Sequence, residues 1–124
     1  MKDCIFCKIM NGEIPSKVVY EDDKVRAIMD INPVVDGHVL IIPKEHVTDY
    51  TLMTDELVCH INKVAKDLGR KIMNKLGAKG LTMTVNYGDA QEVKHYHLHL
   101  LPDYHISKAS KDVSEIYEIL KTED

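Results

Sequence analysis

In the stretch HYHLHLLP (residues 95–102), three imidazoles recur at every second position and run straight into Leu100, Leu101 and Pro102. Such alternation is the period of an extended strand. His95, His97 and His99 are therefore expected on one face, with Tyr96, Leu98 and Leu100 on the other. Packing alone does not account for a histidine face, because each ring carries two nitrogens that need partners once they leave water. A rise of about 3.3 Å per residue sets His95 and His99 about 13 Å apart, too far to meet on one ion. The labour is expected to divide along the strand: one end ligates or braces, and the middle ring is presented to a substrate. Neutral imidazole suits the second role, since its reference pKa of about 6.5 leaves one nitrogen free to attack while the other donates to a fixed acceptor.

Moving outward, NYGDAQEVK (86–94) supplies what a phosphate site needs: the Asn86 amide, Gly88 for close backbone approach, and a tight turn whose N–H groups can aim at oxygens. GLTMTVNYG (80–88) alternates as a strand. HVLIIP (38–43), between Gly37 and Pro43, reads as a central strand that could pair beside the histidines and bring His38 to support the middle ring. KVVYEDDKVRAIMDI turns at 21–24 and predicts a hairpin with strands near 17–21 and 24–30. Thr54, with Asp55 and Glu56 behind it, starts a long helix whose apolar positions Leu57, Ile61, Val64, Ala65, Leu68, Ile72 and Leu76 recur up to Gly77. Cys59 within it is expected to be a small buried residue. SKDVSEIYEILK predicts a C-terminal helix, and Asp3 is placed to cap a short helix over CIFCKIM. Hairpins on either side of a long helix, without regular βαβ alternation, give an α+β fold around a largely antiparallel sheet.

The chain of 124 residues suits a single domain, 1–124, with a core over 3–104 and a helical tail over 110–122. A net charge of −4 and a pI near 5.9 argue against a surface for nucleic-acid polymers but leave single nucleotides open. No stretch approaches the roughly 20 apolar residues of a membrane span, and Lys2, Asp3 and Lys8 interrupt any secretory core, so a cytoplasmic protein without membrane partners is expected. Three cysteines, two of them in CIFC (4–7), do not suggest a disulfide scaffold. That pair has metal-ligand spacing, with a redox dithiol or two core thiols as the alternatives.

GHVLIIPKEH (37–46) followed by NYGDAQEVKHYHLHLLP (86–102) resembles the histidine triad family of nucleotide-binding hydrolases and transferases, and CIFCKIMNGEIPSKVVYEDDKVRAIMDINP (4–33) is similar to it as well. The resemblance implies a homodimer of the histidine-triad fold. It implies an enzyme in which His97 attacks the α-phosphorus of a purine nucleoside phosphoramidate or related nucleotidyl conjugate, forming a covalent intermediate that releases a nucleoside 5′-monophosphate. A zinc-stabilised nucleotide sensor or adaptor with vestigial catalysis is the alternative.

By the same resemblance Asn86 and His99 contact the α-phosphate, Gln91 orders the loop over it, and His38 supports His97. Asp30 accepts from the ribose, with a simple turn cap ahead of Asn32 and Pro33 as the alternative. Ile5, Phe6, Ile28, Met29 and Ile31 form the base slot, and Cys4, Cys7, His46 and His95 hold a structural zinc ion. The loop from Asn86 to His95 is about two residues shorter than in members with a glycine-rich GGQ or AGQ loop. Glu92 stands where such members commonly carry a phosphate-binding serine or threonine.

Overall fold

The computed structural model describes residues 3–122. Its frame is a five-stranded antiparallel sheet of β1 (Val18–Glu21), β2 (Val25–Met29), β3 (Val39–Pro43), β4 (Leu81–Val85) and β5 (Leu98–Pro102), in the order β1-β2-β3-β5-β4. Helices α1 (Ile5–Met10), α2 (Asp55–Leu76) and α3 (Val113–Leu120) complete the α+β fold.

Period-two alternation sorts the strands into two apolar layers. Val25, Ala27, Met29, Val39, Ile41, Leu98 and Leu100 face α2, whose Ile61, Val64, Ala65, Leu68 and Ile72 cover them. Ile28, Leu40 and Ile42 face the other way and are covered by Phe6 and Ile9 of α1. His99 sits between Leu98 and Leu100 and pairs with Leu40, so the histidine face is the α1 face. Helix α2 has the expected bounds: Thr54 Oγ1 accepts from the Leu57 N–H at 3.2 Å, and Gly77 ends it with a left-handed φ of 62°. Helix α3 adds Ile116 and Leu120 to the α2 layer, on the side of the sheet away from the histidines.

Several expectations need correction. The strand begins at Leu98, not His95; Tyr96 gives its N–H to the Val47 carbonyl at 2.7 Å, outside the sheet ladder. The cap of α1 is Cys4, whose sulfur accepts from the Cys7 N–H at 3.4 Å, rather than Asp3. Cys59 is exposed, because it lies two residues before the buried Ile61 and a 100° step per residue turns it to the opposite side of α2. The acidic residues of the turn predicted at 21–24 also make ion pairs and hydrogen bonds. Glu21 pairs with Lys44 at 2.8 Å and Arg26 at 3.1 Å, and Asp22 accepts from the Lys24 and Val25 N–H groups and lies 2.8 Å from His60 Nε2.

Gly37 positions the site from below. Its φ is 88°, and a Cβ there would lie 2.5 Å from Leu76 Cδ1 and 2.9 Å from Pro102 Cγ, so the turn into His38 closes only with glycine.

Candidate functional site

His38 is the residue before β3, opposite Asp30, whose N–H donates to the His38 carbonyl at 3.0 Å. Its Nδ1 accepts from the Val34 N–H at 3.2 Å, so in the neutral ring the proton is on Nε2. That N–H donates to Nδ1 of His99 at 2.9 Å, which leaves the His99 proton on Nε2. This Nε2 is buried and has no hydrogen-bond partner among the described residues. His97 has the opposite tautomer. Its Nδ1–H donates to the His95 carbonyl at 2.8 Å, and the lone pair of Nε2 is left free. The His97 and His99 rings are 4.8 Å apart, and Phe6 meets the His97 ring edge-on at 5.0 Å.

Burial keeps these rings neutral. It pushes His97 and His38 below the ordinary imidazole range, although the Asp30 carboxylate pulls both the other way. His99 is pushed down to about 4 by burial and by its two histidine neighbours. The site therefore presents a nucleophilic nitrogen beside an N–H donor, both uncharged near neutrality.

Both atoms belong to residues lining a cavity of about 360 Å³. Of the residues put forward from the sequence, Ile5, Phe6, Ile28, Asp30, Ile31, Asn86, Glu92, His38, His97 and His99 all line it. Asn86 follows β4 directly, one step past the Val85–Leu98 pair, so the register sets it against His97. Asp30 caps its turn and also faces the site: one oxygen accepts from the Asn32 N–H at 2.8 Å and the other lies 3.4 Å from His38 Nε2. Met29 borders the cavity, but its side chain packs in the α2 layer. Gln91 is not among the lining residues; it is buried and gives its amide N–H to the Thr48 carbonyl at 2.7 Å, pinning the loop from outside. Reading the sequence missed Ile9, Ile14, Pro15, Val34, Leu40 and Val93 as lining residues. Only Leu40 carried a signal, as the cross-strand neighbour of Ile28.

Next to the cavity lies a second constellation. Cys4 Sγ is 3.3 Å and Cys7 Sγ 3.6 Å from His95 Nδ1, and Cys7 Sγ is 3.2 Å from His46 Nδ1. The four donor atoms lie within 4.8 Å of one another. Zinc bonded to sulfur at 2.3 Å and to nitrogen at 2.0–2.1 Å would separate neighbouring S and N donors by about 3.5 Å, so the cluster fits a tetrahedral divalent cation. His95 Nε2–H donates to the Pro43 carbonyl at 2.9 Å, which turns the Nδ1 lone pair toward the sulfurs. Burial and the adjoining Cys4 push the Cys7 thiol up to about 11, so without a cation it is a neutral thiol near neutrality, which disfavours a reactive dithiol.

A smaller cavity of about 200 Å³ between β1 and α2 is lined by Tyr20, His60, Asp67 and Lys71 among others. None of the histidines of the chain described above borders it.

Residues 11–106 match the family model described as HIT domain. Over 103 residues the chain is 47% identical to an uncharacterized HIT-like protein of Methanocaldococcus jannaschii, covering 82% of this chain and 79% of the relative. An adenylylsulfatase of Arabidopsis thaliana is 36% identical over 102 residues, which make up 81% of this chain and 52% of that protein. The crystal structure of a zinc-bound histidine triad family protein from Mycobacterium smegmatis superposes with a TM-score of 0.88 at 34% identity, over 97% of this chain and 91% of that one. With its motif histidines gathered on one cavity and its sequence and fold both shared, the chain belongs to the histidine triad (HIT) family.

Proposed function

We propose that the protein is a purine nucleoside phosphoramidase or nucleotidyl hydrolase that works through a covalent nucleotidyl intermediate on His97. The observation that carries this reading is the pairing of opposite tautomers: a free lone pair on His97 Nε2 beside an unpartnered donor on His99 Nε2. A nucleophile and an N–H aimed at a phosphoryl oxygen are what displacement at phosphorus requires. In the first step the Nε2–P bond forms and the P–N bond breaks. The leaving nitrogen keeps the bonding pair and takes a proton from solvent. In the second step water forms a P–O bond, gives up its proton to solvent, and His97 recovers its lone pair as a nucleoside 5′-monophosphate departs.

Asn86 and His99 steady the phosphoryl oxygens in this reading, and His38 holds His99 in the donating tautomer. Asp30 accepts from the ribose hydroxyls, and Ile5, Phe6, Ile28 and Ile31 receive the base. Their apolar surfaces select a purine by area and stacking, with little hydrogen-bond discrimination between adenine and guanine. Gln91 acts by holding the loop in place. The adenylylsulfatase activity named for the Arabidopsis relative is also nucleotidyl chemistry and supports the reaction class.

Cys4, Cys7, His46 and His95 would hold zinc in a structural role, tying α1 to the end of β3 and the approach to β5. A tetrahedral ion held by all four side chains would have no position open for water. No helix among the described residues is long and apolar enough to cross a membrane. The unpaired outer edge of β4, with Met83 and Val85 exposed, supports a homodimer joined there.

A nucleoside phosphoramidate mixed with the protein and quenched within milliseconds should leave a nucleotidyl adduct on the peptide containing His97, detected by mass spectrometry. Ordinary binding with intact substrate and no adduct would instead favour a zinc-stabilised nucleotide sensor. The reading that catalysis is vestigial is favoured by one observation: the carboxylate of Glu92 lines the cavity, where it opposes a phosphate.

A further inference from the structure

The cavity contains a nucleophile for phosphorus, yet among the described residues lining it there is no lysine or arginine. Its fixed charges are two carboxylates on separate elements. Asp30 is already engaged by the Asn32 N–H and by His38. Glu92, on the loop between β4 and β5, makes no ion pair among the described residues. The nearest cation in sequence, Lys94, is turned back onto the Gly88 carbonyl at 2.6 Å. The charge of Glu92 is nevertheless felt at the His97 ring, which it stabilises in the protonated form. It is exposed, so it meets a part of the substrate that reaches toward solvent and not the buried base.

We propose that Glu92 is a charge filter for the leaving group, ranking substrates of one nucleoside phosphoryl core in the order cationic, neutral, anionic. This rests on the reading of His97 as a nucleophile at phosphorus. A leaving amine that carries an ammonium group on its chain is drawn to the carboxylate. One that carries a carboxylate or further phosphates is repelled, with no neighbouring lysine or arginine in the cavity to compensate. The site is thereby directed toward nucleotidyl amines and away from polyphosphates. The dianionic monophosphate product is repelled more than the monoanionic substrate, which assists its release.

Three adenosine phosphoramidates that differ only in the end of an ethyl arm, ammonium, methyl or carboxylate, test this as ratios of kcat/KM within each variant, so that any general loss of activity cancels. Wild type should favour the ammonium over the carboxylate substrate by about tenfold or more, each step of charge being worth up to about fivefold for a solvent-facing carboxylate. Glu92→Gln should bring the ratio close to one, and Glu92→Lys should invert it. The corresponding phosphate esters, measured by calorimetry as ligands, should follow the same order, a readout that does not require turnover. Should the amides fail to react while the esters keep the charge ranking, the nucleophile reading falls and with it the leaving-group role, while charge selection by Glu92 stands as a property of ligand binding alone. A wild-type ratio near one, or a ratio unchanged in Glu92→Gln and Glu92→Lys, overturns the filter.

Discussion

The Nε2 atom of His38 stands 2.9 Å from Nδ1 of His99, and the Val34 N–H on the far side of the His38 ring fixes which of the two nitrogens donates. A backbone amide thus sets the proton on a ring two hydrogen bonds away. The His99 proton is left on a buried Nε2 without a partner among the described residues, on a ring 4.8 Å from that of His97.

Removing that nitrogen should remove turnover. His97→Ala is expected to lower kcat by a thousandfold or so at least, with nucleotide affinity by calorimetry changed only a few-fold, because the contacts proposed for the base and ribose lie elsewhere. A variant that turns over at a comparable rate would rule out a nucleotidyl-histidine.

In the proposed mechanism His38 acts as a positioning residue. His38→Ala frees His99 to take either tautomer and is expected to cost about tenfold to a hundredfold in kcat with little change in KM. Because one buried imidazole neighbour of His99 and His97 is lost, the acidic limb of the kcat profile should also move upward in pH, which a purely structural loss would not produce.

Stability should depend on pH through the same rings. The folded pKa values of His38, His97 and His99 lie below the unfolded value of about 6.5, with His99 down to about 4. Between these limits the unfolded chain binds more protons, so the contribution is complete above about pH 6.5 and is lost as pH falls toward 4. Thermal melts should drop by several degrees from pH 7 to pH 5. The slope should be shallower in His99→Asn, and an equal slope in that variant would remove His99 from the account.

The cysteine pair should hold one divalent ion per chain. Metal analysis of the purified protein is expected to give about one equivalent of zinc, falling to near zero in Cys4→Ser, with a lower Tm and retained turnover of whatever fraction is folded. Lost zinc together with an intact Tm would mean that the cluster does not brace α1.

Gly37→Ala should be among the more damaging single substitutions outside the site. A positive φ and a Cβ colliding with Leu76 and Pro102 predict a loss of about 2–4 kcal/mol in denaturant unfolding. Because the same turn delivers His38, the folded fraction should also lose activity.

What the amino-acid order determined is whatever repeats with a short period or needs a particular residue type. Alternation at 95–102 separated the histidines from Leu98 and Leu100, and the 3.6-residue recurrence from Leu57 to Leu76, between Thr54 and Gly77, gave α2 its bounds. Residue type alone put His38, His97, His99, Asn86 and the Cys4–Cys7 pair forward as candidates. The tertiary structure decided what depends on backbone groups and on which side of an element a position falls. The Val34 amide, the His95 and Pro43 carbonyls and the Thr48 carbonyl set the tautomers and the loop, and almost any residue type could supply them, proline being excluded only for the amide. It also turned Cys59 outward, where one position along a helix rotates a side chain by 100°. And it delayed the start of β5 to Leu98, because the Tyr96 amide found its acceptor at Val47, far away in sequence and adjacent only once the chain had folded.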